Sequence, residues 1–363
     1  MHERIYVCHT FYHVYVTCLK EFHIRHLNPD APGEATLVLS KMSNHFDDMV
    51  ERARQCGLFE EVIEFDEKED TFFPELSPLR KNTGNIVSNM VNRIRFCKKF
   101  AKLEEPFVPV DFTLYKDIYV FCDSDPIGYY LNYKKIRYHA LEDGLNCIRY
   151  GDTARFDNNG FFGIKAWMSS KGIIFIQNGY GRYCIDMEVN DISILDYPCS
   201  KYIEKKRSEL TDELTQEDKD LMLQLFCSKE LLEGINLKIS DTTGKKVLIL
   251  SEPLCDLKTR EQIFKDLVTI YGVVEGQKAT VMIKQHPRDY LDYKKLFPDV
   301  IILDGTFPME MLNFIRNIHF DRLVSVYTVV DSIDFVDEKL FLGDDFMDRY
   351  EDPKIHRINE QIK

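Results

Sequence analysis

Short apolar runs alternate along the chain with stretches whose apolar positions recur every three or four residues. Ile5-Tyr6-Val7-Cys8 is a β-prone run followed by helical spacing through about Arg25; Ala35-Thr36-Leu37-Val38-Leu39 is a second, followed by helical spacing from Asn44 to Cys56. Val62-Ile63-Glu64-Phe65 predicts a third strand before a Pro-rich break. Ile86, Met90, Ile94 and Cys97 then fall on one helical face, with Arg95, Lys98, Lys99 and Lys102 on the opposite one. Asp117-Ile118-Tyr119-Val120-Phe121-Cys122 is the clearest strand of this half, and Ile136-Arg137-Tyr138-His139-Ala140 is strand-like. Strands alternating with helices predict parallel pairing with helices on both faces, a Rossmann-like α/β layer.

Residues 145–200 are rich in Gly, Asn and aromatics with weak periodicity, and predict loops and short strands. Thr215-Gln216-Glu217-Asp218 reads as a helix start, a Thr cap with acids in the first turn, for a helix to about Cys227. Polar Ser240-Asp241-Thr242-Thr243-Gly244 is the best linker. The α/β pattern then restarts. Lys246–Leu250, Thr280–Ile283, Val300–Leu303, Arg322–Val326 and Lys339–Leu342 read as strands, Thr259–Tyr271 and Met309–Asn317 as helices. The expected organisation is two Rossmann-like domains, 1–240 and 241–363, with the last helix packing back on the first, around a cleft where the strand C-termini face each other. Ligands of open α/β sheets sit at those carboxyl ends.

Composition adds exclusions. The chain has 363 residues, enough for about two domains, and a net charge of −13, which argues against a nucleic-acid partner because counterion release needs a basic face. No apolar run approaches the roughly 18 residues of a membrane span, and Met1-His2-Glu3-Arg4-Ile5 enters a strand with no secretory pattern ahead of it, so a cytoplasmic chain is expected. None of the ten cysteines is spaced CxxC; Cys8, Cys18, Cys97 and Cys122 read as small buried hydrophobes. No GxGxxG follows the first strand, Gly179-Tyr180-Gly181 is too short for that fingerprint, and no GxSxG appears.

Candidate chemistry lies at strand ends. Leu141-Glu142-Asp143-Gly144 can present a carboxylate on a tight turn with Gly at positive φ, or be a plain Asp-Gly turn. In Lys284-Gln285-His286-Pro287 the proline keeps His286 extended at the strand tip, where Lys and His make a phosphate corner, or a solvated Lys and a turn His. Glu310, in Pro308-Met309-Glu310, is a helix first-turn acid; Ser325-Val326-Tyr327-Thr328 puts hydroxyls where a strand ends, as phosphate donors or as caps. Asp256 follows another strand. Asp123-Ser124-Asp125 matches the DxD pattern of metal-dependent glycosyltransferases, but Asp125-Pro126 reads better as a cap with Pro at the first helical position, so no metal is expected. The basic stripe from Arg93 to Lys102 is the solvated side of a helix or a dock for anionic lipid.

Taken in order, Glu-Asp-Gly, His-Pro, Pro-x-Glu and a hydroxyl pair resemble bacterial sialyltransferases, above all glycosyltransferase family 52, the lipooligosaccharide sialyltransferases, and their polysialyltransferase relatives. Thr10-Phe11-Tyr12-His13 is similar to that family's Thr-Pro-Tyr-(His/Gln) segment, with Phe11 in place of Pro, and Tyr327-Thr328 stands where the family has Ser-Ser or Ser-Thr. The resemblance implies a GT-B fold and inverting, metal-independent transfer of sialic acid from CMP-sialic acid to a sugar hydroxyl of a glycan or glycolipid, without a cofactor. It implies Asp143 as base with Glu142 orienting it, His286 at the leaving phosphate, and Lys284 adding charge; Asp256, also at a strand's carboxyl end, is the rival base. Glu310 would hold the ribose, Pro287 pack near cytosine, and Ser325, Tyr327 and Thr328 hold phosphate; Thr10 and His13 would bind acceptor. Peripheral contact with the inner face of the cell membrane and a homodimer are compatible with it. The competing readings are another GT-B transferase of cell-surface polymers with a different activated donor, and a non-catalytic nucleotide- or sugar-binding protein.

Overall fold

The computed structural model describes residues 2–29, 34–43, 46–121, 123, 125–144, 148, 160–195, 199–240, 242–303, 305–316, 318–330 and 333–356. It divides into two compact units, Met1–Thr215 and Gln216–Lys363. The division falls ahead of the linker expected near 240, because the helices Gln216–Phe226 and Lys229–Ser240 belong to the second unit.

In the first unit seven strands form one parallel sheet: β1 (His2–Cys8), β2 (Ala35–Ser40), β3 (Glu61–Phe65), β4 (Tyr115–Phe121), β5 (Tyr138–Leu141), β6 (Cys184–Val189) and β7 (Tyr202–Glu204), in the order β3-β2-β1-β4-β5-β6-β7. Ile5 to Cys8 are all fully buried, as a central parallel strand covered on both faces requires. One face packs Ile5, Val7, Val38, Ile118, Val120 and Ala140 into a common core. The strand order reverses between β1 and β4, so the crevice beyond their carboxyl ends is where such a sheet takes a ligand.

The helix Phe11–Leu27 starts two residues after β1 and is capped by Thr10, whose hydroxyl accepts the His13 N–H at 3.2 Å. The second helix spans only Met49–Gln55; Asn44, where it was expected to start, lies outside the described residues. In the helix Ile86–Glu104, Cys97 is buried and Met90 and Ile94 are half-buried, whereas Ile86 in the first turn is 67% exposed, beyond the edge of the core it was expected to join. Cys8, Cys18 and Cys97 are buried free thiols; Cys122 and Ser124 lie outside the described residues. Within the region expected to be loops and short strands, the structure has a helix, Phe162–Ser170, besides β6.

The second unit has a five-stranded parallel sheet and a two-stranded hairpin, β9 (Val273–Val274) with β10 (Gln277–Lys278). Its sheet strands are β8 (Lys246–Leu250), β11 (Thr280–Lys284), β12 (Ile301–Leu303), β13 (Phe320–Ser325) and β14 (Val336–Phe341), ordered β12-β11-β8-β13-β14. The helix Leu257–Tyr271 buries Ile263, Phe264 and Leu267 in one core with Val247, Ile249, Val281, Ile283 and Val324. The expected α-helix Met309–Asn317 is a 3-10 helix, Met309–Phe314, and Asn317 lies outside the described residues. The terminal helix Pro353–His356 belongs to the second unit, where the His356 imidazole meets Asp348 at 2.9 Å. The strand order reverses between β8 and β13, a second switch point.

Candidate active site

At the carboxyl edge of the first sheet, His13 lies one turn into the helix that follows β1, and Asp143 lies two residues beyond β5. Their side chains meet, His13 Nε2 to Asp143 Oδ1 at 2.5 Å. The His9 backbone N–H donates to His13 Nδ1 at 3.0 Å. A backbone amide can only donate, so Nδ1 is the acceptor nitrogen and the proton sits on Nε2, pointed at the carboxylate. The ring is 3% exposed and lies flat on Phe121, centroids 3.9 Å apart. Asp143 keeps about a third of its side chain in solvent, so its carboxylate is held and reachable at once. Gly144 follows at φ +91°, and an added Cβ there would meet nothing within 4 Å: the glycine serves the turn, not the space beside it.

Glu142 points elsewhere. It is buried, its Oε2 accepts the Asn190 N–H at 2.6 Å, and burial raises its pKa against the pull of that amide and of Arg207. It therefore ties the β5 turn to the loop after β6 and makes no hydrogen bond to Asp143 among those described. Behind His13, the carboxylate of Glu67 accepts from Ser40 Oγ at 2.7 Å and from the Ile127 N–H at 2.9 Å, and takes His9 Nε2 at 2.6 Å. Three elements thus fix His9, whose amide fixes His13.

Asp123, the first acid of the DxD pattern, is fully buried, and burial raises its pKa to about 7. The Tyr138 hydroxyl donates to one of its oxygens at 2.6 Å and the Gly179 N–H to the other at 3.2 Å. Both oxygens are spent on fastening β5 and the Gly179 turn. Among the described residues, no group of three or more His, Cys, Asp and Glu is placed to hold a metal ion.

In the second unit the two residues after the central strand β8 hold the loops after both neighbours. Ser251 Oγ accepts the His286 N–H at 3.1 Å and donates to Asp289 at 2.6 Å. Asp289 is buried and also takes Arg260 at 2.7 Å and the Tyr293 hydroxyl at 2.5 Å. Gly305 lies against this loop: a Cβ there would come within 3.1 Å of the Gln285 carbonyl oxygen. His286 Nδ1 accepts the Arg288 N–H at 3.1 Å; burial first, then the charges of Arg288 and Lys284, lower its pKa to about 4, so it is a neutral imidazole with its proton on Nε2. Lys284 is buried, its ammonium 4.1 Å from the Phe307 ring centroid and bonded to the Gln285 carbonyl. Glu310 is half-buried, its pKa raised by burial and opposed by Lys284, and Pro287 is exposed.

The hydroxyl segment after β13 departs from expectation. The N–H groups of Val326, Tyr327 and Thr328 converge on the carboxylate of Glu252 at 3.0–3.1 Å. Ser325 donates to the Thr328 carbonyl and the Tyr327 hydroxyl to Asp344, both at 2.8 Å. The amides expected to hold a phosphate hold a glutamate of the same unit. Asp256 is exposed and caps the helix Leu257–Tyr271, accepting the Lys258 and Thr259 amides and the Thr259 hydroxyl, which hold its pKa down. Thr10 and His13, expected to face acceptor, act as helix cap and as partner of Asp143. A cavity of about 240 Å³ lies between Leu231 and Ile235 on one side and Ile302 and Leu303 on the other, and of the Lys284–Pro287 motif only Gln285 lines it. His9, Glu67, Ser251, Glu252, Arg260 and Asp289 were not anticipated; the signal open to reading was position, since His9, Ser251 and Glu252 directly follow the central strands.

The model of Glycosyltransferase family 52 matches residues 80–336. The chain is 25% identical over 222 residues to an uncharacterized protein of Haemophilus influenzae, covering 57% of this chain and 64% of that protein, less than two thirds of its length. Its fold is similar to that of an α/β-galactoside α-2,3-sialyltransferase from Photobacterium phosphoreum, with TM-score 0.51 and 12% identity over 93% of this chain and 89% of that one. It is also similar to a 2,6-sialyltransferase from Photobacterium sp. JT-ISH-224, solved with CMP and lactose, with TM-score 0.54 and 9% identity over 93% and 71%. Two parallel α/β units of this kind make the GT-B fold.

Proposed function

The chain belongs to glycosyltransferase family 52, and from that membership we propose that it moves sialic acid from CMP-sialic acid to a sugar hydroxyl, with inversion and without a metal. The observation that carries the reading is the carboxylate of Asp143, part-exposed beyond β5 and held by a neutral imidazole whose tautomer is fixed. Such a group can take the proton of an attacking hydroxyl, since a fixed N–H donor orients its lone pairs. The donor carbon is fully substituted and leaves a phosphate monoester through an oxocarbenium-like transition state, so the second requirement is a donor of hydrogen bonds and charge at the departing oxygen. His286 meets it as a neutral Nε2–H donor and Lys284 as a cation. His286 sits too low on the pH scale to be an imidazolium among its own neighbours, and a bound phosphate is what would raise it. Glu310 holds the ribose hydroxyls and Pro287 packs near cytosine. Asp256 has its oxygens committed to a helix cap, which favours Asp143 as base. The acceptor is a terminal galactose or sialic acid of a glycolipid or oligosaccharide, in keeping with work at the inner face of the cell membrane; no helix among the described residues is long and apolar enough to cross one.

The deciding assay offers CMP-sialic acid, a CDP-activated and a UDP-activated donor with lactose as acceptor, in EDTA, and follows the configuration of the product by NMR. Turnover of the CMP donor with inversion is expected. Turnover of a diphosphate donor instead, or binding without turnover, overturns the reading.

A further inference from the structure

Two helices of the first unit leave apolar side chains on the surface. Along the helix Phe162–Ser170 and its cap, Phe161, Ile164 and Trp167 recur every three residues on one face, each 55–65% exposed, while Met168 and Ser169 turn inward. In the first two turns of the helix Ile86–Glu104, Ile86, Val87 and Val91 are exposed as well. The two sets border one core: Met90 and Ile94 of the longer helix and Phe162 and Ala166 of the shorter pack at its margin. Beyond the shorter helix the Phe175 carbonyl accepts from Arg93 of the longer one at 3.1 Å. Single apolar residues are ordinary on a surface, but these six, the chain's only tryptophan among them, gather on neighbouring helices as binding patches do.

Charge points to the partner. Leu76 to Leu103 carries seven Lys and Arg and no Asp or Glu, and Gly160 to Ile185 carries three and none, in a chain of net charge −13. Val87, Val91, Arg95, Lys98 and Lys102 share one exposed face of the longer helix, so its apolar end runs on into a basic end. Past the end of the shorter helix Lys171 and Arg182 are exposed together, the Arg182 guanidinium donating to the Lys171 carbonyl at 3.2 Å. A second copy of this chain would set these cations against their own kind, because a two-fold contact joins a face to itself. An anionic bilayer suits both halves: headgroups take the cations, and the interfacial zone takes Trp, Phe, Ile and Val side chains.

We infer that these two helix faces are a docking surface for an anionic membrane. Ile164 and Trp167 enter the interface, and Lys98, Lys102 and Lys171 are among the cations that meet the headgroups. Such docking would serve the glycolipid acceptor proposed above, and only that purpose rests on the proposed transfer; the binding itself is measured with neither donor nor acceptor present.

The test titrates the full chain with phosphatidylcholine vesicles, with and without phosphatidylglycerol. Binding is followed by co-sedimentation and by the emission of Trp167, which needs no label because it is the only tryptophan. Emission should move to the blue, and partition should be at least about tenfold stronger with phosphatidylglycerol and fall in high salt, since each Lys or Arg near such a surface strengthens binding about fivefold. Ile164→Asp, which keeps the reporter, and the pair Lys98→Ala with Lys102→Ala should each weaken partition at least about tenfold. Ile270→Asp, at an exposed isoleucine of the second unit, should leave it unchanged. Wild type that binds anionic vesicles no better than phosphatidylcholine alone, or binds neither, overturns the inference with no variant involved. Folded variants of both helices that keep wild-type partition overturn it as well. So does a Trp167 shift that soluble polyglutamate reproduces without lipid, which would give the face to an acidic protein, or a dimer that Ile164→Asp dissociates in sedimentation equilibrium, which would give it to a second copy. Transfer from CMP-sialic acid to lactose without lipid is read separately: its failure removes the donor reading and leaves the membrane result standing.

Discussion

His13→Ala separates the geometry of Asp143 from its presence. The bond from His13 Nε2 to Asp143 at 2.5 Å is charge-assisted, and such a bond is worth about 1.5–3 kcal/mol. Part of that vanishes as Asp143 takes up a proton, so the bond energy does not carry fully into the transition state. What His13 supplies throughout is placement: its ring is clamped between the His9 amide and Phe121, and it leaves the carboxylate one orientation. A displacement of about 1 Å at a reacting group costs on the order of 10²-fold. His13→Ala should therefore lower kcat about 10²-fold with donor KM nearly unchanged, whereas Asp143→Asn, which removes the base, should cost about 10²–10⁴-fold. Because His13 acts through Asp143, the double variant should be close to Asp143→Asn alone. His13→Gln carries an acceptor for the His9 amide and a donor for Asp143, and should recover at least about tenfold of the loss. The readouts are kcat and KM for the four variants, with urea unfolding to register the lost stacking, about 0.5–1.5 kcal/mol. Additive effects of His13→Ala and Asp143→Asn, or full kcat in folded His13→Ala, would refute the dyad.

His286→Ala should cut turnover by about 10²–10⁴-fold with the fold intact, since Ser251, Gln285 and Asp289 still hold its loop when the ring's bond to the Arg288 amide is lost; an active variant rules out the phosphate corner. Asp256→Ala should cost about 1 kcal/mol of stability through the lost cap and leave kcat within a few-fold, and a collapse of kcat at unchanged stability would make Asp256 the base. Asp123 titrates near pH 7 in the folded chain against the ordinary carboxylate range unfolded, so the folded state holds the proton more tightly and stability falls as pH rises through that interval to about 7, then levels. Asp123→Asn should flatten this slope in thermal melts and keep activity in EDTA; a loss of activity restored by Mn²⁺ would revive the DxD reading.

The strands were legible because a parallel sheet covered on both faces needs unbroken apolar runs, and Ile5–Cys8, Ala35–Leu39 and Lys246–Leu250 have them. Helices without long apolar stripes were less so. Phe162–Ser170 leaves Ile164 and Trp167 mostly exposed, so its pattern lacked a clean buried face, and Lys229–Ser240, ending in the polar linker, went unread. Asp143 and His286 were singled out because a Gly that frees the backbone and a Pro that restricts it stand beside them, features visible in one dimension. Glu252, Asp289 and Glu67 were missed because their meaning is their partners: Glu252 finds its three amides more than seventy residues along the chain and Glu67 finds Ile127 sixty away. Thr10, His13 and Asp256 were singled out too, but a motif names a residue and not the direction of its side chain.

The two units repeat one device. In each, a backbone N–H donates to the Nδ1 of a histidine near the carboxyl end of a strand, His9 to His13 and Arg288 to His286. An imidazole so engaged has one free choice removed, because protonating Nδ1 would set two donors against each other. Each ring thereby has its N–H at Nε2, and His286 is a neutral imidazole. In the proposed reaction a neutral donor suits Asp143, because an imidazolium beside it would depress the basicity that taking a hydroxyl proton requires. The same neutrality suits His286 in the second unit for a different reason. In the proposed reaction a phosphate leaving with its charge growing would strengthen a hydrogen bond already aimed at it from Nε2, with the standing charge left to Lys284. Swapping either clamp is hard, because both are main-chain amides; the accessible handle is what positions those amides, Glu67 for His9 and Ser251 for the His286 loop.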